Sequence, residues 1–214
     1  MFADRYEAGV LLAKKLKEMY GDELAGNPQV LVLAIPRGGV VTGDAVAEYL
    51  GIKMDVVASR KIGTPYNPEL AVGAVTPDGG FFANQEIIEA AGVSTTYINE
   101  QISKQKREIE RRLIKFRGRA DYKLEGRTVV LVDDGIATGA TVLAAISWLK
   151  RQSLKKLIVA APVCSRETLL RLKHMADEVL VLHSPVLFQA VGEFYQDFTQ
   201  VEDDQVVAIM GKYL

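Results

Sequence analysis

The chain has 214 residues, of which 49% are hydrophobic and 25% charged, and its formal net charge at pH 7 is −1. This length suits one well-buried domain spanning 1–214, and the balanced charge excludes a global electrostatic attraction to nucleic acid or to an anionic membrane. A single cysteine and two histidines exclude an internal disulfide and a Cys/His metal cage.

Short apolar runs alternate with amphipathic stretches along the chain. The runs predicted to be strands are 30–35, 52–59, 128–134, 156–163 and 178–182. Helical patterns lie at 4–19, 39–50, 138–151, 165–175 and 202–213, the last with Asp203 or Asp204 as its candidate N-cap. Fully apolar strands separated by helices predict an α/β fold with a parallel sheet covered on both faces.

Residues 94–119 break this alternation, because their pattern predicts one long helix that begins at a Ser/Thr cap. An apolar stripe runs along it: Ile98, Ile102, Ile109, Leu113 and Phe116. The opposite face is basic: Lys104, Lys106, Arg107, Arg111, Arg112, Lys115, Arg117 and Arg119. A solvated face on a helix packed over the sheet is the plainest interpretation, and a dimer arm or a nucleic-acid contact is the alternative.

No apolar run approaches the roughly 18 residues that span a bilayer, and the first twenty residues lack the continuous apolar stretch of a secretory signal. We therefore expect a cytoplasmic protein without a membrane contact. Cys164 lies in the apolar run LIVAAPVC, which indicates a buried structural thiol.

Two loops of small and basic residues follow predicted strands, where the ligands of parallel sheets bind. In AIPRGGVVTGDAV (34–46), Gly38 and Gly39 allow the backbone to approach a ligand closely, and Arg37 is a cation suited to phosphate. In SRKIGTPYNPELAVGAV (59–75), Arg60 and Lys61 precede a loop whose glycine and prolines predict no regular structure. Such a loop could form a mobile lid over an anionic substrate. Ordinary solvated turns are the alternative for both segments.

A third loop is VLVDDGIATGAT (130–141). Thr138, Gly139, Ala140 and Thr141 at a helix start offer backbone N–H groups and two hydroxyls to a phosphate. Asp133 and Asp134 would repel that phosphate unless they face ribose hydroxyls or a magnesium ion. No lysine follows the glycine as in a Walker A loop, and the glycines at 38, 39 and 43 do not match G-x-G-x-x-G, so nucleotide hydrolysis and dinucleotide binding are not indicated.

Together these segments resemble the type I phosphoribosyltransferases, which use phosphoribosyl pyrophosphate (PRPP). VLVDDGIATGAT is similar over its full length to the PRPP signature, IPRGG to the pyrophosphate loop, and RKIGTPYNPELAVGAV to the flexible catalytic loop. The resemblance is strongest to a bacterial and archaeal branch with PRGG, RKIG-x-P-x-NPE and AVG-x-x-Y-x-DF, the last present as AVGEFYQDF (190–198). It implies a Rossmann-like central sheet with a helical insertion at about 84–120 and a C-terminal hood at about 183–214.

The resemblance also implies roles for individual residues. Asp133 and Asp134 would bind the ribose, directly or through Mg²⁺, and the 5′-phosphate would lie on the loop that includes Gly135 and Ala137 to Thr141. Arg37, Gly38 and Gly39 would meet the pyrophosphate, often through a cis peptide in such loops. Arg60 and Lys61 would close over the pyrophosphate and complete the catalytic set.

The function implied is transfer of the phosphoribosyl group of PRPP to a nitrogenous base, in nucleotide metabolism, by a homodimer that does not bind nucleic acid. The residues from His183 to Phe198 match no hood whose base preference can be named. An alternative is a regulator that senses PRPP on the same fold and uses the basic helix for a partner. Arg60 and Lys61 favour the enzyme, and a dinucleotide-dependent oxidoreductase is a more distant alternative.

Overall fold

The computed structural model describes all residues from 1 to 214 and contains eight strands and seven α-helices. In chain order they are α1 (Arg5–Tyr20), β1 (Val30–Ala34), α2 (Gly38–Leu50), β2 (Lys53–Val56), β3 (Arg60–Gly63), β4 (Ala71–Val75), β5 (Phe81–Ala83), α3 (Gln85–Ala90), α4 (Thr95–Arg117), β6 (Thr128–Val132), α5 (Ala140–Leu149), β7 (Lys156–Val163), α6 (Arg166–Met175), β8 (Glu178–His183) and α7 (Asp203–Met210). Short 3₁₀ helices lie at Gly21–Glu23 and Val191–Phe194. None of the helices has the length and apolar character required to cross a membrane.

The predicted parallel sheet is confirmed. Five strands lie in the order β2-β1-β6-β7-β8, and every neighbouring pair is parallel. Alternate residues of β1 face opposite sides, so that Val30 and Val32 pack with α1 and α2 while Leu31 and Leu33 pack with α5 and α6. Both faces of the sheet are therefore buried, which explains why its central strands are continuous apolar runs.

The long helix forms as its pattern predicts, from a Ser94 cap whose hydroxyl accepts a hydrogen bond from the backbone N–H of Tyr97. Ile109, Leu113 and Phe116 are almost fully buried within the same chain. Helix α7 begins at Asp203, close to the predicted start at about 202, but the predicted N-cap at Asp203 or Asp204 is wrong. Its N-cap is Glu202, and Asp203 and Asp204 occupy its first turn, where carboxylates suit the positive end of the helix dipole.

One ion pair anchors the end of α4 to the sheet. The Arg117 guanidinium donates two hydrogen bonds, of 2.8 and 2.6 Å, to the two carboxylate oxygens of Asp55 in β2. The Arg117 side chain is 1% exposed and also stacks on the Tyr122 ring, 4.0 Å from its centroid. A buried charge requires such a partner, so this pair fixes where α4 ends.

The loop predicted after Arg60 and Lys61 is irregular only from 64 to 70, and the strands on either side of it were not predicted. Strands β3, β4 and β5 form a separate antiparallel sheet, and only the tip between Gly63 and Ala71 is irregular. Ile62, Val72 and Val75 are buried beneath this sheet, which stabilises it as a hairpin. The glycine and proline signals belong to the turn alone, where a Cβ added to Gly63 would overlap the backbone of Pro68.

Candidate active site

The loops that follow β1, β2 and β6 meet at the carboxyl edge of the large sheet. The loop after β6, together with Lys61 of β3 and Val191, surrounds a cavity of about 190 Å³, whose lining residues are Lys61, Asp133, Gly135, Ile136, Ala137, Thr138, Gly139, Ala140, Thr141, Val142 and Val191. The structure thus brings together one acid of the pair, the Thr-Gly loop and one of the two adjacent cations. Eight of the residues singled out in the sequence share this cavity: Lys61, Asp133, Gly135, Ala137, Thr138, Gly139, Ala140 and Thr141.

The Thr-Gly loop is held open by its neighbours rather than by its own side chains. Gly139 has a φ of +74°, in the left-handed region, and serves as the N-cap of α5. The carbonyl oxygen of Ala137 accepts hydrogen bonds from the Ser165 hydroxyl at 2.8 Å and the Thr168 hydroxyl at 2.6 Å. With that carbonyl turned towards α6, the free N–H groups of the first turn of α5 are left for an anion.

The two acids have different surroundings. The carboxylate of Asp133 accepts a hydrogen bond from the backbone N–H of Asp134 at 2.9 Å and has no cation partner. Burial, followed by the adjacent charge of Asp134, raises the pKa of Asp133 well above its usual range. The Asp134 carboxylate instead pairs with the Arg5 guanidinium at 2.6 Å. The backbone carbonyl oxygen of Asp134 accepts a hydrogen bond from the Tyr195 hydroxyl.

The two glycines of the PRGG segment make room for this acid pair. A Cβ added to Gly38 would overlap the Asp134 carboxylate, and one added to Gly39 would lie 2.8 Å from the Asp133 Oδ1 atom. The peptide bond between Pro36 and Arg37 is cis. The backbone of the loop after β1 therefore packs directly against both carboxylates, and only glycine fits at these two positions.

The two cations of β3 point in different directions. Lys61 lines the cavity, and its ammonium pairs with Glu69 of the hairpin tip at 2.7 Å. Arg60 is instead half-buried against α4, where its Nε donates to the Gln105 side chain at 3.1 Å. Burial and the nearby charge of Arg112 lower the Arg60 pKa, although a guanidinium stays protonated. Ser59 donates to the Thr141 carbonyl oxygen at 2.8 Å, which joins the base of the hairpin to the Thr-Gly loop.

Arg37 lies outside the small cavity. Its guanidinium contacts the carboxylates of Glu202 at 3.3 Å and Asp203 at 3.7 Å, at the start of α7. These contacts are partly exposed, so they hold the side chain only weakly. Arg37 is thus placed beside Gly38 but directed towards the C-terminal helix.

Three residues of this region were not found from the sequence. Arg5 begins α1, and Val191 and Tyr195 belong to the AVGEFYQDF segment. Val191 packs against Gly135 so closely that a Cβ on the glycine would overlap it. The AVGEFYQDF pattern was a signal for Val191 and Tyr195, whereas nothing near Arg5 in the sequence marks it as a partner of Asp134.

A second cavity, of about 390 Å³, opens next to the first and shares Ala137, Thr138 and Ala140 with it. Two aromatic rings, Phe82 and Phe188, lie among its lining side chains. Hydrogen-bonding groups are also present: Asn84, Ser165, Glu167, Thr168, Arg171 and Gln189. Apolar walls with a few polar groups are typical of small-molecule sites.

The residues that could hold a metal ion here are the two acids. No group of three or more His, Cys, Asp or Glu side chains in the chain is arranged to hold one. Magnesium commonly uses one or two protein carboxylates and takes its other ligands from water and substrate phosphate. The unpaired carboxylate of Asp133 fits such a shared site, and a cation there would oppose the rise in its pKa.

Comparisons with known proteins agree with this architecture. Residues 3–194 match the family model described as the phosphoribosyl transferase domain. Proposed phosphoribosyl transferases from two strains of Mycobacterium tuberculosis are each 39% identical over 213 residues, 99% of this chain. The chain spans 47% of the length of those relatives.

Solved structures show the same fold. The crystal structure of TT1426 from Thermus thermophilus is 40% identical, has a TM-score of 0.81, and the alignment covers 100% of this chain and 99% of that one. The AQ2163 protein of Aquifex aeolicus has a TM-score of 0.52 at 13% identity, over 83% of this chain and 73% of that one. By its sequence and its fold, this chain belongs to the phosphoribosyl transferase domain family.

Proposed function

We propose that the chain transfers the 5-phosphoribosyl group of PRPP to a nitrogenous base and releases pyrophosphate. One observation carries the proposal: Gly38 and Gly39 pack on the Asp133–Asp134 pair, which borders a loop built to receive a phosphate. A ligand lying across this edge would meet phosphate-binding groups at both ends and carboxylates in the middle. PRPP has that pattern, with a 5′-phosphate, a ribose and a pyrophosphate.

Each group of the ligand has a matching part of the site. The 5′-phosphate would occupy the small cavity, on the first turn of α5 and the hydroxyls of Thr138 and Thr141. The ribose hydroxyls would donate hydrogen bonds to the Asp133 carboxylate. Asp134, held in place by its ion pair with Arg5, would lie beside them. The pyrophosphate would lie on the backbone between Arg37 and Gly39, within reach of Lys61 from the hairpin.

The acid pair is also our candidate site for a magnesium ion. Asp133, with Asp134 behind it, would hold the ion directly or through water, and the ion would supply positive charge to the leaving group. The protein side chains orient the ribose and exclude water from the reacting centre. A base nitrogen attacks C1 as the bond from C1 to the pyrophosphate oxygen breaks, so no protein nucleophile is required.

The second cavity is our candidate for the acceptor. It adjoins the phosphate loop, and Phe82 and Phe188 offer apolar surface to a flat ring while Asn84 and Gln189 offer hydrogen bonds. These features suit a nitrogen heterocycle. They do not select between purines and pyrimidines, because amide side chains both donate and accept.

One observation favours a second candidate function, a PRPP sensor. Lys61 lines the cavity and its chain neighbour Arg60 donates a hydrogen bond to Gln105 of α4, so a movement of β3 on anion binding would reach the basic helix through this contact. A sensor would bind PRPP without turnover.

A turnover assay separates the two. The protein is incubated with PRPP, Mg²⁺ and a panel of purine and pyrimidine bases, and pyrophosphate release is measured with and without the metal. We expect base-dependent and magnesium-dependent release with at least one base. PRPP binding without release for any base would support the sensor, and a protein that neither binds PRPP nor releases pyrophosphate would contradict both.

A further inference from the structure

A third cavity lies at the opposite edge of the large sheet from the candidate active site. Its volume is about 400 Å³, and residues near the amino ends of three strands border it: Leu31 of β1, Lys53 of β2, and Arg127, which precedes β6. The remaining lining residues are Met54, Asp55, Arg119, Lys123, Leu124, Met210, Tyr213 and Leu214. No motif found in the sequence falls here.

The rim of this cavity is basic. Four cationic side chains, those of Lys53, Arg119, Lys123 and Arg127, line it together with one acidic side chain, Asp55. That carboxylate is already occupied by the two hydrogen bonds from Arg117 and lies 3.6 Å from Arg119. Lys53, Lys123 and Arg127 have no acidic partner within 4.0 Å, although the chain as a whole has a net charge of −1.

The floor of the cavity is apolar. Met54, Leu124 and Met210 are at most 3% exposed, and Leu31 is 8% exposed. Tyr213 stands at the side, and its hydroxyl is held by a hydrogen bond to Asp44 at 2.6 Å. The ring of Tyr213 is therefore fixed in orientation, which lowers the entropy lost when a ligand packs against it.

A cationic rim over an apolar floor selects for a ligand that carries both negative charge and an apolar part. Solvated lysines on a convex surface would have no such selectivity, but here they surround a concave site of the volume usual for small ligands. Lysine and arginine together are the common donors to phosphate oxygens. A nucleic-acid backbone would instead need an extended basic stripe.

We propose that this cavity is a second ligand site, which binds a nucleotide with its phosphates on Lys53, Lys123 and Arg127 and its base against the apolar floor. The inference does not depend on the proposed transfer reaction, because the cavity shares no lining residue with the candidate active site.

Methionine methyl groups provide a direct readout. The chain has five methionines, and two of them, Met54 and Met210, line this cavity, whereas Met1, Met19 and Met175 do not. With ¹³C-methyl methionine labelling, a titration with ATP should shift the Met54 and Met210 signals saturably and leave Met19 and Met175 in place. Adenosine and inorganic tripolyphosphate should each cause the same shifts only at higher concentration.

Charge-reversal variants test whether ATP binds at this cavity. Lys53→Glu with Lys123→Glu should weaken ATP binding by about tenfold or more, since two charge-assisted contacts are replaced by repulsion. Lys14→Glu with Lys150→Glu makes the same change in net charge at exposed lysines elsewhere and should leave the affinity unchanged. Asp133→Asn with Asp134→Asn should also leave the Met54 and Met210 shifts intact.

Three results would overturn the proposal: an absence of shifts at Met54 and Met210, an equal loss of affinity in both lysine pairs, or a loss of the shifts in the acid-pair variant. The last result would place the ATP in the candidate active site.

Discussion

At the scale of single residues, Asp134 is fixed from three sides. Arg5 of α1 pairs with its carboxylate, Tyr195 donates to its carbonyl oxygen, and Gly38 leaves the space that the carboxylate fills. Arg5 is itself held by a hydrogen bond of 2.8 Å to the Thr199 carbonyl oxygen and lies 3.7 Å from the Phe198 ring centroid. Charge-assisted hydrogen bonds of this kind contribute about 1.5–3 kcal/mol each. Asp133 is thereby left as the acid without a protein cation.

The glycine beside this pair gives the first prediction. Gly38→Ala should displace the Asp134 carboxylate and weaken binding of magnesium-PRPP by about tenfold or more, because loss of one charge-assisted contact has that magnitude. Calorimetric titration measures the change. Gly211→Ala, at the end of α7 with a φ of −55°, is the control and should bind as the parent does. Equal affinity for Gly38→Ala and the parent would show that the packing of this glycine is irrelevant to the ligand.

At the scale of elements, the hairpin of β3 and β4 carries Lys61 to the mouth of the phosphate cavity. Its tip is exposed, and Tyr66 is 95% accessible to solvent. The Lys61 ammonium is shared between the cavity and Glu69, so it can exchange a tip carboxylate for a ligand anion. A hairpin with a mobile tip would let this cation meet the leaving group mainly in a closed state.

A cation that acts in this way raises turnover more than affinity. Lys61→Ala should therefore lower kcat and kcat/KM together, by a factor on the order of 10²–10³, with little change in the dissociation constant for PRPP. Steady-state pyrophosphate release and direct titration of PRPP measure the two quantities, with Lys104→Ala on α4 as the control. An unchanged kcat would remove Lys61 from the catalytic set.

The attachment of α4 to the sheet gives a prediction about stability. Arg117→Met leaves the Asp55 carboxylate with only Arg119 nearby, and the loss in the free energy of unfolding should be about 3–5 kcal/mol. Urea unfolding measures it. Lys115→Met breaks exposed pairs with Asp203 and Asp204 and should cost about 1 kcal/mol or less. Similar losses for the two variants would contradict the anchoring role of Arg117.

Lys106, Arg107 and Arg111 of the basic face of α4 are exposed, whereas Arg117, which was predicted to lie on that face, is buried, and the apolar stripe packs within the same chain. Reversing Lys106, Arg107 and Arg111 to Glu should therefore leave PRPP affinity within about twofold of the parent, as is usual for surface substitutions. Neither protein should bind a DNA duplex with a steep salt dependence. Strong, salt-sensitive binding by the parent that is lost in the reversed variant would instead favour a regulator.

At the scale of the whole molecule, the sequence predicted the large sheet well. The three central strands, β1, β6 and β7, are apolar runs buried on both faces, so their positions are marked locally. The small sheet was missed, because its three strands are short, two of them flank a turn rich in glycine and proline, and their burial depends on tertiary contacts. The candidate site was predicted where groups lie close in the chain, as from Asp133 to Thr141.

Contacts between distant segments could not be predicted in this way. Arg5 and Asp134 are 129 positions apart, and no periodicity links them. Arg60 and Lys61 looked equivalent, but alternation along β3 directs them to different neighbours, one to Gln105 and the other to the cavity. Their directions follow from the formation of β3, and the sequence around the turn did not predict that strand.

The central claim is that Asp133 and Asp134 bind the ribose part of magnesium-PRPP, and a calorimetric titration of the parent and of Asp133→Asn with Asp134→Asn tests it most directly. Loss of charge-assisted hydrogen bonds worth about 1.5–3 kcal/mol each should weaken binding by more than about tenfold. Circular dichroism of the variant should match that of the parent, because neither side chain belongs to the hydrophobic core. Unchanged affinity for PRPP in the folded variant would contradict the account.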